Sequence, residues 1–313
     1  MIPMDLSVVI NTKNMAGTLG NALESVKDFA DEVVVVDMSS TDDTVKIAKK
    51  YGAKIFPYEK DFGFADPARN FALSKATGSW VFVLDADEEL SPGLKKLIQQ
   101  IIAGDVNEQL LADCYFIPRR NEIFGKWLSN TGWWPDYQLR FFKKGMANWT
   151  EKVHTAPITK GKVAYLPAEM DLALLHHNYQ SVSQFLERLN RYTDLESLEQ
   201  YASHKPETQF SADSITESFR SEFFRRFFVQ KGFEDGIQGL SLSFLQAIYQ
   251  MVAVLKQWEQ EGFPESGKEH SEQNVAALQK FQQELGYWMA DWRVRHTSGP
   301  MKVFWQLRRK FKV

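Results

Sequence analysis

The predicted fold is decided by two stretches, Val33-Val34-Val35-Val36-Asp37-Met38-Ser39-Ser40-Thr41-Asp42-Asp43-Thr44 and Val81-Phe82-Val83-Leu84-Asp85-Ala86-Asp87-Glu88. In each stretch a run of apolar residues ends abruptly in carboxylates. Strands that are apolar on both faces are typical of a parallel sheet covered by helices. Ligands of such sheets bind just beyond the carboxyl ends of the strands. We therefore expect Asp37, Asp85 and Asp87 to lie at one crevice.

The composition indicates a globular protein without a strong charge bias. Of the 313 residues 44% are hydrophobic, and the formal net charge is −3, so no basic field favours nucleic acid as a partner. The single cysteine, Cys114, excludes an internal disulfide framework and a cysteine-based zinc site. The chain opens directly on a strand pattern, and no apolar run reaches the ~18 residues that span a bilayer. We therefore expect a cytoplasmic protein without a signal peptide.

Strand and helix patterns alternate over the first hundred residues. Strands are predicted at residues 6–12, 32–38, 53–58 and 80–86, with helices at 19–29, 41–51, 67–76 and 92–103. This alternation predicts an α/β fold with a doubly wound sheet. Residues 113–124, 136–143 and 163–166 predict a mixed extension of the sheet. Only helical patterns follow, so we place a boundary between an α/β domain, residues 1–175, and a helical region, residues 176–313.

The two strand ends carry side chains that suit a nucleotide. Asp37 can accept a hydrogen bond from a base N–H, and Ser39 can serve ribose or phosphate, although the same polar run would equally cap a helix. Asp85 and Asp87 offer hard oxygens to Mg²⁺ or Mn²⁺, which would bridge a diphosphate. Arg69, at the start of a helix, is either a further diphosphate contact or a solvated helix charge.

These motifs resemble the family 2 inverting glycosyltransferases of the GT-A fold. The matching stretches are Ile10-Asn11-Thr12-Lys13-Asn14, residues 32–44, Arg69-Asn70-Phe71-Ala72-Leu73, residues 76–88, Gln138-Leu139-Arg140-Phe141-Phe142 and Val153-His154. The chain is most similar to the branch that includes lipopolysaccharide-core β-1,4-glucosyltransferases. The resemblance implies a GT-A mixed sheet, a UDP-sugar donor, a divalent metal ion, and a glycan or lipid-linked glycan of the cell envelope as acceptor.

The resemblance also implies a role for individual residues. Asp37 would contact the uracil, Asp85 would lie near the ribose or base, and Asp87 would bind the metal ion. Thr12 would line the nucleotide pocket. Together with the residues inferred from the strand ends, the predicted donor-site residues are Thr12, Asn14, Asp37, Ser39, Arg69 and Asp85.

Inversion at a sugar carbon requires a base that takes the proton of the acceptor hydroxyl. We predict that Asp136 is this base, because the aromatic residues around it could stack on sugar rings. By partly drying the site, they would also raise the pKa of its carboxyl group. Glu151 is the alternative candidate.

Histidines and one arginine offer further contacts. His154 is expected to touch the diphosphate or the metal ion, as the Val-His pair suggests in relatives. For His176 and His177 we favour a structural role over metal ligation. Arg140 is either a phosphate contact or an exposed charge.

The C-terminal segment, from residue 288 to residue 313, interleaves aromatic and basic residues. This pattern fits a helix lying on an anionic membrane surface, which would suit a lipid-linked acceptor and peripheral association with the inner membrane. The alternative is a helix that docks on its own domain and leaves its basic face in water.

Two other functions stay open at this point. A sugar-nucleotide pyrophosphorylase shares the early α/β plan, although residues 11–17 are poor in the glycine that a triphosphate loop needs. A catalytically silent membrane-associated scaffold of the same fold is the second alternative, because Met15 stands where many family members have Glu.

Overall fold

The protein divides into two compact units. The structure is a computed structural model, and it describes residues 5–59, 66–150, 156–202, 210–264 and 271–311. The first unit, here called the sheet unit, comprises Met1–Ser129 and Trp133–Gln180, and the second, the helical unit, comprises Asn130–Gly132 and Ser181–Val313. The units thus separate after residue 180, whereas the boundary at residue 175 expected from the sequence falls inside the last strand.

The sheet unit is built on one mixed sheet. Its strands are β1 Leu6–Thr12, β2 Glu32–Asp37, β3 Lys54–Pro57, β4 Trp80–Asp85, β5 Glu88–Leu90, β6 Cys114–Ile123, β7 Lys126–Trp127, β8 Asp136–Lys143, β11 Val163–Tyr165 and β12 Leu174–His177; β9 Ala147–Asn148 and β10 Ile158–Thr159 pair separately. The main order is β3-β2-β1-β4-β8-β6-β12-β5. Strands β1 to β4 are mutually parallel, whereas β8 runs antiparallel to both β4 and β6.

Helices cover both faces of this sheet. They are α1 Leu19–Val26, α2 Thr44–Lys50, α3 Asp66–Lys75 and α4 Pro92–Ala103. Along β1, Val8 and Ile10 point into a core with α1, α2 and α4, while Val9 points into a second core with α3. The prediction of a doubly wound sheet is confirmed, because alternate residues of one strand are buried on opposite faces.

Long helices make up most of the described part of the helical unit. Its elements are α5 Val182–Ala202, α6 Ala212–Phe224, a π-helical turn Arg225–Val229, a 3-10 turn Gly232–Asp235, α7 Gly236–Gln260, α8 Ser271–His296 and α9 Pro300–Phe311. Phe223, Phe224 and Phe228 pack with Ala247 in its aromatic core. The phenylalanine-rich stretch therefore serves packing.

Three residues from the middle of the chain belong to the helical unit because of Asp235. Asp235 is 2% exposed. Its carboxylate accepts hydrogen bonds from the Thr131 hydroxyl at 2.7 Å and from the Asn130 backbone N–H at 3.1 Å. The Thr131 backbone N–H also donates to the carbonyl of Gln230 at 3.0 Å. A buried carboxylate with satisfied acceptors holds this segment in place.

One helical stretch of the described residues, Gly232–Gln260, is long and apolar enough to cross a membrane. Only 22% of its most apolar window is buried. The expectation that no stretch of the chain would reach this length is therefore wrong by this measure. The measure concerns length and composition alone, and core helices of soluble proteins also meet it.

Candidate active site

The predicted donor residues lie at the carboxyl edge of three neighbouring strands. In the sheet register Thr12 is opposite Asp37 on β2, and Asn11 is opposite Asp85 on β4. Because β1 lies between β2 and β4, the two aspartates are two strand spacings apart, or about 10 Å. Asp87 follows β4 directly.

The end of β1 carries buried polar atoms with no hydrogen-bond partner among the described residues. They are the amide nitrogen and oxygen of Asn11 and the hydroxyl of Thr12, in residues that are 7% and 3% exposed. Buried polar groups without partners are costly, so a native protein usually reserves them for a ligand or water. Thr12 was expected at this site from the sequence, whereas Asn11 was not.

Two loops beyond β1 and β2 are tied together by Asn14. Its backbone N–H donates to the Ser40 hydroxyl at 2.9 Å, and its side-chain oxygen accepts from the Thr41 backbone at 2.7 Å. Asn14 and Ser39 have φ angles of 53° and 63°, a left-handed conformation that Asn tolerates better than most residues. Asn14 therefore positions the loop, and its contact with a nucleotide stays a prediction.

Asp85 is held between two buried arginines. Arg69 donates to its Oδ1 at 2.8 Å and Arg140 donates to its Oδ2. Arg140 also donates to Glu88 at 2.7 Å. Arg69 and Arg140 are 8% and 3% exposed. The alternative that either arginine is a charge exposed to solvent is therefore wrong.

The charge of this cluster decides the protonation state of Asp85. Burial alone would raise the pKa of its carboxyl group, but the guanidinium groups of Arg140, Arg69 and Arg119 outweigh burial and hold that pKa well below its usual range. With Glu88 and Asp136 the cluster contains three guanidinium groups and three carboxylates, joined by ion pairs. The buried charges therefore compensate one another.

Asp136 belongs to the same network through β6. Arg119 is opposite Asp136 in the register of β6 and β8, and its Nε and Nη2 donate to Oδ2 at 2.9 and 2.6 Å. Asn121, two residues further along β6, donates to Oδ2 at 3.0 Å. Gln138 donates to Oδ1 at 2.9 Å. Oδ1 is thus the oxygen with more remaining capacity to accept a proton.

The expected rise in the pKa of Asp136 is wrong. Burial alone would raise the pKa of this carboxyl group. The charge of Arg119 and the hydrogen bonds from Asn121 and Gln138 have a larger effect in the opposite direction, so the pKa lies below its usual range. The aromatic neighbours suggested a dry site, but the sequence did not reveal the guanidinium on the adjacent strand. Asp136 is consequently ionised at neutral pH, as a proton acceptor must be.

His176 connects Asp136 to Asp87. The side-chain nitrogen of Asn121 donates to Asp136 and to the carbonyl of Trp133, so its oxygen accepts a hydrogen bond from Nδ1 of His176 at 2.6 Å. This assigns the proton of the neutral imidazole to Nδ1 and leaves the lone pair on Nε2. Nε2 lies 3.6 Å from Oδ1 of Asp87.

Asp87 and His176 bring a carboxylate oxygen and an imidazole nitrogen to 3.6 Å from each other. Two ligands at right angles around an ion with bonds of about 2.1 Å lie about 3 Å apart, so the two side chains would have to approach by several tenths of an ångström to share an ion. Among the residues described here, no group of three or more His, Cys, Asp and Glu side chains is arranged to hold a metal ion. The remaining ligands would have to come from water or a substrate. The other predicted candidates, His154 and Glu151, lie outside the described residues.

His177 has a different environment from its neighbour. Its ring nitrogens lie 3.0 Å from Glu122 and 2.8 Å from Glu89, on the strands that flank β12. Both nitrogens are thus engaged by carboxylates of the sheet. This arrangement agrees with the structural role that the sequence favoured for His177.

A separate cavity of about 500 Å³ lies away from these residues. Trp80, Tyr115 and Lys143 are among its lining residues. Trp80 begins β4, whereas Asp85 ends it. The cavity therefore contains none of the predicted site residues.

Comparison with known proteins agrees with the observed fold. The sequence profile of glycosyl transferase family 2 matches residues 7–159. An uncharacterized glycosyltransferase of Rickettsia conorii is 30% identical over 267 residues, which cover 80% of this chain and 89% of the relative. The chain belongs to glycosyl transferase family 2. Its mixed sheet with flanking helices is the GT-A fold, and the protein is a glycosyltransferase rather than a pyrophosphorylase.

The chain is also similar to two further proteins. The lipopolysaccharide core biosynthesis glycosyltransferase LpsC of Rhizobium meliloti is 29% identical over 212 residues, covering 66% of this chain and 75% of LpsC. The crystal structure of S. aureus TarS 1–349 in complex with UDP-GlcNAc aligns with 98% of this chain and 88% of that chain, at 17% identity and a TM-score of 0.43. The second similarity is too remote to carry a functional argument.

Sequence reasoning about this family 2 glycosyltransferase missed the central residues of the network. Glu88, Arg119, Asn121 and His176 were not among the predicted site residues. Arg119 and Asn121 occupy alternate positions of β6, but Arg120 and Glu122 are polar as well. The sequence therefore has no alternation that would mark which face of the strand is buried and needs polar partners.

Proposed function

We propose that this family 2 glycosyltransferase transfers a hexose from a UDP-sugar to a hydroxyl of a glycan or lipid-linked glycan of the cell envelope, with inversion in a single displacement. The observation that carries the proposal is the path Asp87–His176–Asn121–Asp136. It links Asp87 and His176, the two residues proposed to hold a cation, to the ionised carboxylate of Asp136 through contacts of 3.6, 2.6 and 3.0 Å. A donor diphosphate and an acceptor base can thus be served by one network.

The donor would bind along the ends of β1, β2 and β4. Asp37 would accept a hydrogen bond from the uracil N–H, and the unpartnered atoms of Asn11 and Thr12 would bind the nucleoside. Ser39 is exposed beside them and is available to the ribose or phosphate. Arg69, fixed by Asp85, would place positive charge near the diphosphate.

Asp87 and His176 would hold Mg²⁺ or Mn²⁺, and Asn121 would keep the Nε2 lone pair of His176 directed at the ion. When bound, the ion would neutralise the charge that develops on the leaving diphosphate. The imidazole ligand favours Mn²⁺ over Mg²⁺, which prefers oxygen ligands alone.

Asp136 would act as the base. As the acceptor oxygen bonds to the anomeric carbon, its proton passes to Oδ1 of Asp136, and the bond from that carbon to UDP breaks with the electron pair leaving on the diphosphate. Arg119 and Asn121 fix the orientation of the carboxylate through Oδ2. The similarity to LpsC, a lipopolysaccharide core biosynthesis glycosyltransferase, supports an envelope glycan as acceptor, reached from the cytoplasmic face of the membrane.

The test is calorimetric UDP binding with and without Mn²⁺. We expect binding by the natural protein only with Mn²⁺, loss of that binding in Asp87→Asn, and an increase of about tenfold or more in the Mn²⁺ concentration needed by His176→Gln. His177→Gln, altered at the adjacent residue, is the matched control and should bind as the natural protein does. Binding of UDP that needs no metal ion and survives Asp87→Asn would contradict the proposal.

Transfer itself is tested with a panel of UDP-hexoses and a lipopolysaccharide-core acceptor. Asp136→Asn should reduce the turnover rate by about 10² to 10⁴ while leaving Mn²⁺-dependent UDP binding unchanged. An Asp136→Asn variant that retains full turnover would assign the base elsewhere.

A further inference from the structure

Helix α9 presents an apolar stripe to the solvent. Met301, Phe304 and Leu307 follow one another at intervals of three residues, and Val303 precedes Leu307 by four, so the four side chains share one helix face. They are 54%, 47%, 52% and 56% exposed, respectively. In a soluble helix this face normally packs against the core. In α9 it is left in contact with water.

The opposite face of α9 is the one that docks on α8. Arg309 forms an ion pair with Asp291 at 2.7 Å. The ring of Trp305, which is less exposed than its neighbours in α9, lies 5.6 Å from the guanidinium carbon of Arg293. Because Arg309 and Trp305 fix the orientation of the helix, the apolar stripe faces outward as a consequence of specific contacts.

Basic residues surround the stripe. Between residues 292 and 311 the sequence contains six Lys or Arg residues and no Asp or Glu, in a chain whose net charge is −3. The exposed ones include Lys302, Arg308 and Lys310 on α9 itself. Apolar side chains bordered by basic ones on one helix are the combination that binds the surface of an anionic bilayer.

We propose that α9 docks the protein on an anionic lipid bilayer, with Val303, Phe304 and Leu307 entering the interface and the flanking basic residues contacting lipid headgroups. Charge selects the bilayer over a second copy of the chain. In a two-fold dimer this patch would face itself and bring like charges together. The inference deepens the proposed function, because a lipid-linked acceptor is presented at such a surface.

The experiment measures binding of the full chain to vesicles by co-sedimentation. The vesicles contain phosphatidylcholine alone or phosphatidylcholine with phosphatidylglycerol. The test variant is Val303→Glu with Leu307→Glu. The matched control is Leu278→Glu on α8, which changes a leucine that is 61% exposed and lies outside the basic segment.

We expect the natural protein to bind the anionic vesicles and not the neutral ones, and to dissociate as salt is raised. The double variant should lose about tenfold or more in partition coefficient, while Leu278→Glu keeps it. Circular dichroism and Mn²⁺-dependent UDP binding report folding of each variant. Failure of UDP binding would therefore count against the proposed transfer, independently of the lipid result.

Two outcomes would overturn the inference. One is a natural protein that stays in the supernatant with anionic vesicles. The other is a dimer in solution that the double variant abolishes without any change in vesicle binding, since a second copy would then cover the stripe.

Discussion

Arg119 lies between two carboxylates, at 2.6 Å from Asp136 and 3.3 Å from Glu88. In the proposed reaction it is a positioning residue, because it acts through Asp136 and not on the substrate. Of the groups that depress the pKa of Asp136, its charge is the largest. The pKa of Asp136 on β8 is therefore lowered mainly by a residue of the neighbouring strand β6.

Replacing Arg119 by Met should raise the pKa of Asp136. Protonation of the base would then begin at higher pH, so the acidic limb of the pH profile of kcat/KM should move upward relative to the natural enzyme. Arg120→Met is the control, because Arg120 points to the other side of β6 and lies over the ring of Trp127 at 5.5 Å. Equal pH profiles for the Arg119 variant and the natural enzyme would show that Asp136 does not accept the proton in the rate-limiting step.

The sequence revealed carboxylates but not their partners. Asp85, Asp87 and Asp136 are recognisable because each flanks an apolar or aromatic run. Asn121 hydrogen-bonds to both Asp136 and His176, which lie 15 and 55 positions away from it in sequence. Such pairs follow from which strands become neighbours, which local pattern does not specify.

Glu32 joins three elements at the amino edge of the sheet. From β2 its carboxylate accepts hydrogen bonds from Ser7 on β1 at 2.5 Å, from Lys54 on β3 at 2.7 Å and from the Thr77 backbone at 2.8 Å. Burial alone would raise its pKa, but these contacts lower the pKa of Glu32 to about 2.

This contact makes stability depend on pH. Because the pKa in the folded state lies below that of the unfolded chain, the stabilisation is complete above about pH 4.5 and is lost as pH falls towards 2. Glu32→Gln should cost on the order of 3 kcal/mol of unfolding free energy at pH 7 and almost nothing near pH 2. Urea unfolding over this pH range measures the difference.

The control for this prediction is Glu24→Gln. Glu24 lies 4.0 Å from Lys27 with both side chains more than half exposed, so its removal should be nearly neutral at any pH. A pH-independent loss in the Glu32 variant would mean that shape, and not ionisation, is what Glu32 contributes.

Among the helices and strands, those long enough to show a periodic hydrophobic pattern were the ones that the sequence predicted. The bounds of β1 and β8 agree with the sequence prediction, and Ser91 caps α4 as expected, accepting from the Leu94 backbone at 3.2 Å. Strands β5 and β12 have three and four residues, too few to establish a period. Glu88 on β5 and His176 on β12 are buried, and they lie opposite each other where these two strands pair.

For the whole molecule, the sequence predicted the fold class but not that the helical unit includes Asn130–Gly132. Nothing in this short segment signals its partners, because Asp235 is 105 positions from Asn130. Asp235→Ala would remove the acceptor of the Asn130 backbone N–H and of the buried Thr131 hydroxyl. We expect a loss of about 3 kcal/mol in the unfolding free energy of the helical unit.

Glu234→Ala is the matched control for this prediction. Glu234 is exposed beside Lys231, at 3.7 Å, so its loss should change stability by less than about 0.5 kcal/mol. The measurement is urea unfolding followed by circular dichroism, which detects the helices. Equal midpoints for the two variants would show that the hydrogen bonds of Asp235 do not stabilise the fold.

The dependence of residues 130–132 on Asp235 also constrains how the gene can be recombined. A chimera that exchanged everything after residue 180 with a relative would separate Asn130 and Thr131 from the carboxylate that they bind. The three residues must therefore be inherited together with the distant helical segment. Selection would act on the two regions as one unit, although about a hundred codons lie between them.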